Sequence, residues 1–94
     1  MSRTNDPIEV DLHDLRLYDA EIEICNAIEE AWSTTSKCLL LIHGYNNGIA
    51  IREFIRNPGG LMKRIKRNYP EVPSIEIVPC DNGSTYVLIE DGSN

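Results

Sequence analysis

The feature that most constrains the fold is a short apolar run near the middle of the chain. Residues 38–42 read Cys-Leu-Leu-Leu-Ile and lie between Lys37 and His43. An apolar run without alternation is typical of a central strand that is covered on at least one face. The rest of the 94-residue chain must then pack around this strand as one compact domain.

The spacing of apolar residues predicts the elements on either side of this strand. Residues 8–12 alternate apolar and acidic side chains, which predicts a short strand with one buried face. Residues 17–32 repeat apolar side chains at three- and four-residue spacing, which predicts an amphipathic helix. A second helix is predicted from about residue 49 to 56. It resumes from 61 to about 68, because Asn57-Pro58-Gly59-Gly60 interrupts it.

The end of the chain predicts a β-hairpin. Two strand-like segments, residues 74–79 and 84–89, flank Asp81-Asn82-Gly83, and an Asn-Gly pair favours a type I′ turn. The element order is therefore β-α-β-α-β-β. Right-handed crossovers make the first three strands parallel, and the hairpin makes the fourth antiparallel. We predict an α/β fold, a two-layer sandwich in which the helices cover one face of a four-stranded mixed sheet.

The sequence predicts one domain without a membrane segment. We expect a flexible N-terminus at residues 1–7, a single domain at 8–90 and a disordered tail at 91–94. No apolar run approaches the roughly 20 residues of a membrane span, and the N-terminus lacks the apolar stretch of a secretory signal. These features indicate a cytoplasmic protein. The three cysteines are too widely spaced for a disulfide framework or a zinc knuckle.

Charge is distributed unevenly along the chain. The net charge of −6 argues against general nucleic-acid binding, because phosphate contacts require Lys or Arg. However, residues 52–67 hold six basic residues and one acidic residue: Arg52, Arg56, Lys63, Arg64, Lys66 and Arg67, with Glu53. This segment could form a surface that faces phosphate, or a solvated helix face that offsets nearby acids.

Two polar motifs follow the first two predicted strands and contain both histidines of the chain. They are Asp11-Leu12-His13 and His43-Gly44-Tyr45-Asn46-Asn47-Gly48. Strands one and two and the hairpin turn end at the same sheet edge in this fold, and ligands favour that edge. The sequence therefore predicts one shared site there.

Each motif has a chemical interpretation and a structural one. Asp11 and His13 lie on the same side of a strand, where the carboxylate could orient the imidazole for proton transfer or simply cap the next turn. The loop from Gly44 to Gly48 could receive a phosphate on its N–H groups, or could be an ordinary turn between a strand and a helix. Tyr45 could stack on a base or pack on the domain edge.

Together these motifs resemble the Smr domain, the small MutS-related domain, over about residues 8–90. The resemblance rests on Val10-Asp11-Leu12-His13, Leu41-Ile42-His43-Gly44 and the pattern Gly83-x-Thr85-x-Val87-x-Ile89. It implies a sandwich similar to the C-terminal domain of a bacterial translation initiation factor, and activity as a DNA-nicking or RNA-cleaving endonuclease. It also implies that Asp11 and His13 are catalytic, and that His43 and Gly44 contribute to the site and to backbone contact.

The chain departs from the family pattern at two places. The family usually has glycine after its LDLH segment, where this chain has Asp14, and a lysine in its HGKGxG loop, where this chain has Tyr45. An added carboxylate and a missing lysine both weaken the attraction for nucleic acid.

Two functions remain open from the sequence. The first is an endonuclease in which His13 or His43 transfers protons, Asp11 orients it, and the loop with Arg52 and Arg56 holds phosphate. A divalent cation, Mg²⁺ or Mn²⁺, is a candidate cofactor, although too few ligands are visible to define a metal site. The second is a non-catalytic module that binds nucleic acid or a protein partner through the same edge. The candidate binding residues are Gly44, Tyr45, Asn46, Asn47, Gly48, Arg52, Arg56, Lys63, Arg67, Asn82 and Gly83.

Overall fold

The computed structural model describes residues 7–33, 37–44, 49–72 and 74–90. The elements are β1 (Ile8–Asp11), α1 (Leu17–Ser33), β2 (Cys38–Ile42), α2 (Ile49–Arg56), α3 (Lys63–Asn68), β3 (Ser74–Asp81) and β4 (Ser84–Glu90). The predicted element order is confirmed, with the second helix divided at the predicted break. The tail predicted to be disordered, and all of the predicted flexible N-terminus except Pro7, lie outside the described residues.

The four strands form one mixed sheet in the order β1-β2-β4-β3. β1 pairs in parallel with β2, and β4 pairs antiparallel with both β2 and β3. β1, β2 and β3 therefore run in one direction and β4 in the other, as predicted. Because β4 lies between β2 and β3, the hairpin turn is adjacent to the end of β2.

One face of this sheet carries the hydrophobic core. In β2, Leu39 and Leu41 are fully buried, whereas Leu40 and Ile42 are half-buried. β4 alternates in the same way, with Val87 paired to Leu39 across the strands. The buried side chains of all three helices join the same core cluster. The helices therefore cover one face, which confirms the two-layer sandwich.

α1 packs on the sheet through an apolar stripe. Its buried residues are Ala20, Ile24, Ala27, Ile28 and Ala31. Alanines in this stripe let the helix approach the sheet closely, and each buried isoleucine contributes about 1.5–3 kcal/mol. Polar contacts join α1 to the region of α3: Arg64 forms an ion pair with Glu21, and the Tyr69 hydroxyl donates to Glu29 Oε2 at 2.9 Å. None of the helices in the described residues is long and apolar enough to cross a membrane.

The break between α2 and α3 is a wide turn over Pro58–Met62. Asn57 begins it by accepting the Gly59 N–H on its side-chain oxygen at 2.9 Å. Gly60 has φ −100° and ψ −107°, which is not helical. A Cβ atom at Gly60 would overlap the carbonyl oxygen of Phe54 and would lie 3.0 Å from its carbonyl carbon. The backbone can therefore turn this tightly only because residue 60 has no side chain.

The hairpin differs from the prediction in its turn type. Asp81 pairs with Ser84, so Asn82-Gly83 forms a two-residue loop, and the register shift between Pro79 and Asp81 leaves Cys80 as a bulge. A type I′ turn needs positive φ at both loop residues, but Gly44 is the glycine with positive φ in the described residues. The prediction of type I′ is wrong because Asp81 Oδ1 closes the turn, accepting from Gly83 N at 2.8 Å and from Ser84 Oγ at 2.9 Å.

Adjacent glycines in the wide turn allow a matched test of the tight backbone contact. We expect Gly60→Ala to lower the free energy of unfolding by about 2 kcal/mol or more, since its Cβ meets the backbone of Phe54. Gly59→Ala should change it by less than about 1 kcal/mol, because the nearest atom to its Cβ is a side-chain oxygen at 3.5 Å. Urea denaturation measures both variants. Equal stabilities would contradict the close contact at residue 60.

Candidate functional site

The ends of β1, β2 and the hairpin meet at one edge of the sheet. The Leu12 N–H donates to the Ile42 carbonyl at 2.7 Å, which extends the pairing of β1 and β2 by one residue. The N–H groups of His43 and Gly44 both donate to the Gly83 carbonyl at 2.9 Å. The two polar motifs and the hairpin turn therefore converge, as the sequence predicted.

His13 lies between two carboxylates at this edge. Its Nδ1 forms a short contact with Asp11 Oδ1, which also accepts the His13 backbone N–H at 3.2 Å. Its Nε2 lies 3.0 Å from Asp14 Oδ2. All three side chains are exposed, Asp14 by 83%. Both ring nitrogens can donate only when the imidazole is protonated, so this arrangement favours the imidazolium.

These carboxylates shift the titration of the cluster. The hydrogen bond to Asp11 raises the pKa of His13 above its ordinary value of 6.5, and the charges of Asp11 and Asp14 raise it further. The same hydrogen bond lowers the pKa of Asp11. A raised histidine pKa stabilises the folded protein below pH 6.5, and this contribution is lost as pH rises through the folded-state pKa. His13 is therefore a cationic group at pH values where a free histidine has begun to lose its charge.

Gly44 brings the second motif against His13. Its φ of 86° is a conformation that side chains with a Cβ rarely adopt. A Cβ atom there would lie 3.1 Å from the Cβ of His13, which is tighter than ordinary contact. Glycine is needed at this position for both reasons, and its absent side chain lets the two motifs touch.

His43 is fully buried and differs from His13 in its surroundings. Its Nδ1 lies 3.2 Å from the Gly44 carbonyl, and its Nε2 lies 3.0 Å from Thr85 Oγ1. A carbonyl can only accept, so Nδ1 carries the proton, and Nε2 accepts from the Thr85 hydroxyl. Burial lowers the pKa of His43, and the positive charges of Arg56 and Arg52 add to that effect. This histidine is neutral, and its ring joins the Gly44 carbonyl to Thr85.

Arg56 completes the buried network. Its Nε donates to Thr85 Oγ1 at 3.0 Å, and its Nη2 donates to the carbonyls of Asp81 at 2.6 Å and Ser84 at 3.1 Å. A continuous series of hydrogen bonds thus runs from Arg56 through Thr85 to His43 and the Gly44 carbonyl. In this position Arg56 anchors the hairpin to α2, and only its Nη1 is left to meet a ligand.

The other predicted binding residues that the structure describes lie on α2, in the hairpin turn and at the bend between α2 and α3. Arg52 lies one turn before Arg56 on α2, half-buried and within the electrostatic reach of His43. Asn82 is exposed at the tip of the hairpin, whereas Gly83 is buried. Lys63 and Arg67 do not meet His13; they line a separate pocket at the bend between α2 and α3. The predicted positions Tyr45, Asn46, Asn47 and Gly48 lie outside the described residues.

The sequence leaves open whether the N–H groups of the loop that begins at Gly44 receive a phosphate. In the structure the N–H of Gly44 is already bonded to the Gly83 carbonyl. Gly44 can therefore serve the site through its shape and not through its N–H.

The candidate cofactor, Mg²⁺ or Mn²⁺, has no evident set of ligands. Among residues 7–33, 37–44, 49–72 and 74–90, no group of three or more His, Cys, Asp or Glu side chains is arranged to hold a metal ion. Asp11 and Asp14 face the two nitrogens of His13 instead of a common point. Among the described residues these two carboxylates are therefore engaged by the imidazole and do not form a shared cation site.

Sequence reasoning missed two partners at the site. Thr85 was recognised only as part of a β-strand pattern, although its position two residues after Gly83 places it on the buried face. Asp14 was noted as an unusual residue but not as a partner of His13 Nε2. The direct succession of His13 and Asp14 could have indicated that contact, because aspartate at the end of a strand commonly hydrogen-bonds to groups near it in the chain.

The fold and the two joined motifs define a small α/β domain with an exposed histidine site at the sheet edge. The family model described as Smr domain matches residues 10–90. The chain is also similar to a solved structure, the crystal structure of the Smr domain of Thermus thermophilus MutS2, at 31% identity and a TM-score of 0.63. That alignment covers 88% of this chain and 98% of the other. No curated protein matches the chain.

The chain belongs to the Smr domain family, as the residues at its two motifs indicated. The family consists of nucleic-acid-binding and nuclease-associated modules, and its domains associate with nucleic acids.

The two histidines offer a direct test of the site electrostatics by NMR titration. In the wild type we expect the pKa of His13 to lie above 6.5 and that of His43 below it, for the reasons given above. Asp14→Asn should lower the pKa of His13 in part, and Asp11→Asn should lower it more, since Asp11 is the larger cause. His43 is the internal control and should not move. A wild-type His13 that titrates at or below 6.5 would contradict the paired geometry.

Thr85 allows a test of the buried network. Thr85→Val keeps the volume but removes the hydroxyl, which leaves His43 Nε2 without a donor and Arg56 Nε without an acceptor. We expect the free energy of unfolding to fall by about 1–3 kcal/mol. Thr85→Ser keeps the hydroxyl and is the matched control. Equal free energies of unfolding for Thr85→Val and Thr85→Ser in chemical denaturation would contradict a stabilising role for the network.

Proposed function

We propose that this Smr domain cleaves phosphodiester bonds in nucleic acid, by nicking DNA or cutting RNA, and that His13 transfers the proton. The observation that carries the proposal is the solvent-accessible imidazole of His13, with Nδ1 fixed on Asp11 and Nε2 facing only the exposed carboxylate of Asp14 among the described residues. A histidine held by a carboxylate on one nitrogen presents the other nitrogen in a defined direction.

The raised pKa of His13 favours the role of general acid. In the cleavage step water, or the adjacent 2′-hydroxyl in RNA, attacks the phosphorus and loses its proton to solvent as the bond to the departing oxygen breaks. Negative charge develops on that departing oxygen, and a protonated imidazole neutralises it by donating its Nε2 proton. Asp11 stabilises the imidazolium before the transfer and orients the ring throughout. His13 is thus the catalytic candidate, whereas His43 acts as a positioning residue through the Gly44 loop. This assignment narrows the two-histidine site expected from the sequence.

Cations near the edge supply attraction for the phosphate. Arg52 has no hydrogen bond or ion pair among the described side chains, so its guanidinium is available to a ligand. Arg56 can add its Nη1 group while its other nitrogens hold the hairpin. Lys63 and Arg67 would contact the nucleic acid further from the reacting bond.

A second candidate function is binding without cleavage. It is favoured by Asp14, whose carboxylate occupies the Nε2 of His13 at 3.0 Å. A substrate oxygen must displace this carboxylate before His13 can act on it. If the Asp14 carboxylate stays on the Nε2 of His13, the domain would bind nucleic acid or a protein partner at this edge without cleaving a bond.

Strand-break assays distinguish the two functions. Wild type is incubated with supercoiled plasmid and with a labelled structured RNA, in Mg²⁺, Mn²⁺ or EDTA. We expect cleavage that falls by about 10²- to 10⁴-fold in His13→Ala, because general acid catalysis contributes that much. Asp11→Asn should also lose activity.

Asp19→Asn is the matched control, since it removes an exposed carboxylate from the first turn of α1 without touching His13. Asp14→Asn should shift the alkaline limit of the pH profile downward, because it lowers the pKa of the acid. Cleavage that survives in His13→Ala would overturn the assignment. Binding without cleavage in every condition would support the second function.

A further inference from the structure

A shallow groove runs along α2 toward α3 on the side of the sheet edge. It consists of two adjoining pockets, of about 440 and 200 Å³, that share Phe54, Gly59 and Gly60. The larger pocket begins at Leu17 and Ala50, in the first turns of α1 and α2. Both helices begin where β1 and β2 end, so this end of the groove opens at the edge that carries His13. We refer to the whole as the α2–α3 groove.

The two ends of the groove differ in chemistry. The end near the sheet edge is mainly apolar, with Leu17, Ala50 and Phe54, and includes one acid, Glu53. The far end is lined by Lys63, Arg64 and Arg67. Arg64 is neutralised by its ion pair with Glu21. Lys63 and Arg67 have no ion pair within the part of the chain that the structure describes, so two cations remain for a ligand.

We propose that the α2–α3 groove binds a single-stranded segment of nucleic acid next to the bond that His13 meets, with a base on Phe54 and a phosphate on Lys63 and Arg67. This inference rests on the proposed function, because the proposed role of His13 determines which end of the groove lies next to the reacting bond. Aromatic side chains beside a cationic groove are the usual means of holding single strands, because every base has a face that can stack.

Size and charge favour one strand over a duplex. From Ala50 to Asn57 the groove follows α2 for about 10 Å, at 1.5 Å per residue, which matches about three stacked nucleotides. A duplex keeps the faces of its bases stacked inside and offers base edges and closely spaced phosphates. The two groove cations, Lys63 and Arg67, on a protein of net charge −6 cannot neutralise such a surface. A single strand can add the stacking contact, which does not depend on charge.

The glycines at the centre of the groove support close approach of a ligand. Gly59 is exposed, and the nearest atom to a Cβ there is 3.5 Å away, so the surface is open above it. Gly60, by contrast, has no space for a Cβ atom because its backbone packs against the backbone of Phe54. The same contact holds the Phe54 backbone against the turn that leads to the basic end. The half-buried Phe54 side chain also packs against the core, which gives it a fixed place in the wall of the groove.

The test measures fluorescence anisotropy of a labelled ten-nucleotide single strand, as RNA and as DNA, and of the same sequence in a duplex. We expect wild type to bind the single strand more tightly than the duplex. Phe54→Leu keeps an apolar side chain and should weaken single-strand binding about five- to hundredfold. Lys63→Gln with Arg67→Gln should weaken it and should reduce the slope of log K against log salt by about 0.7 to 1.4.

Two variants serve as matched controls. Lys66→Gln removes a charge from α3 at an exposed position that does not line the groove, and Tyr18→Leu removes an exposed aromatic ring from α1. Neither should change binding. Circular dichroism and thermal denaturation establish that all variants are folded.

The outcomes separate the groove from the cleavage site. No binding of the single strand, or binding that is equal in Phe54→Leu and Tyr18→Leu, overturns the groove proposal, even if wild type cleaves plasmid or RNA. Binding that depends on Phe54, Lys63 and Arg67 supports it, even if His13 proves not to cleave. Tighter binding of a polyglutamate peptide that is insensitive to Phe54→Leu would assign the groove to an acidic protein partner and overturn it.

Discussion

The carbonyl oxygen of Gly83 accepts two backbone hydrogen bonds, from His43 and from Gly44, and the geometry of the edge depends on it. These bonds tie the end of β2 to the hairpin turn, although the two are about 40 residues apart in the chain. They hold Gly44 in its positive-φ conformation against His13. They also leave the His43 ring directed at Thr85. A two-residue hairpin loop is therefore part of the site without contacting a substrate itself.

The two histidines show how different surroundings give one residue type two different chemistries. His43 has every ring nitrogen satisfied by neutral partners and lies away from water, so its charged form is disfavoured. His13 faces two carboxylates in solvent, so its charged form is favoured. The stabilisation from His13 builds up as pH falls through its raised folded-state pKa and is complete below 6.5, whereas protonation destabilises the fold through His43 as pH falls below 6.5. The two histidines therefore change stability in opposite directions and on opposite sides of pH 6.5.

Much of the fold could be predicted because the apolar periods are unambiguous. The stripe on α1 favours a helix and the short unbroken run in β2 favours a central strand, while Pro58 with Gly59 and Gly60 indicates the break that divides α2 from α3. The position of β4 between β2 and β3 could not be predicted, because a hairpin can join a sheet through either of its strands. The turn type was wrong because the Asn-Gly preference competes with the side chain of Asp81, and the Asp81 hydrogen bonds win.

The candidate site was predicted in part, and the reason again lies in particular residues. Asp11, His13 and Gly44 adjoin because parallel strands end together, which the element order alone implies. The network of Arg56, Thr85 and His43 joins α2 to β4, and no sequence pattern encodes a contact between side chains 29 and 42 residues apart. From the sequence, a basic residue within a basic segment suggests a phosphate ligand even when its side chain already forms hydrogen bonds within the protein. Only the three-dimensional contacts of Arg56 reveal that it is mainly an anchor.

Asp14 connects the electrostatics of the free domain to those of the proposed complex. A carboxylate on the Nε2 of His13 carries the same charge sign and the same kind of acceptor oxygen as a phosphate. It therefore keeps His13 protonated before a substrate arrives, and a phosphate oxygen that replaced it would keep the proton in place. Because Asp14 is 83% exposed, its side chain can rotate into solvent at little cost in free energy, since exposed ion pairs are weak. The Asp14 carboxylate thus competes with phosphate for one position on His13 while preserving the protonation state that the proposed cleavage requires.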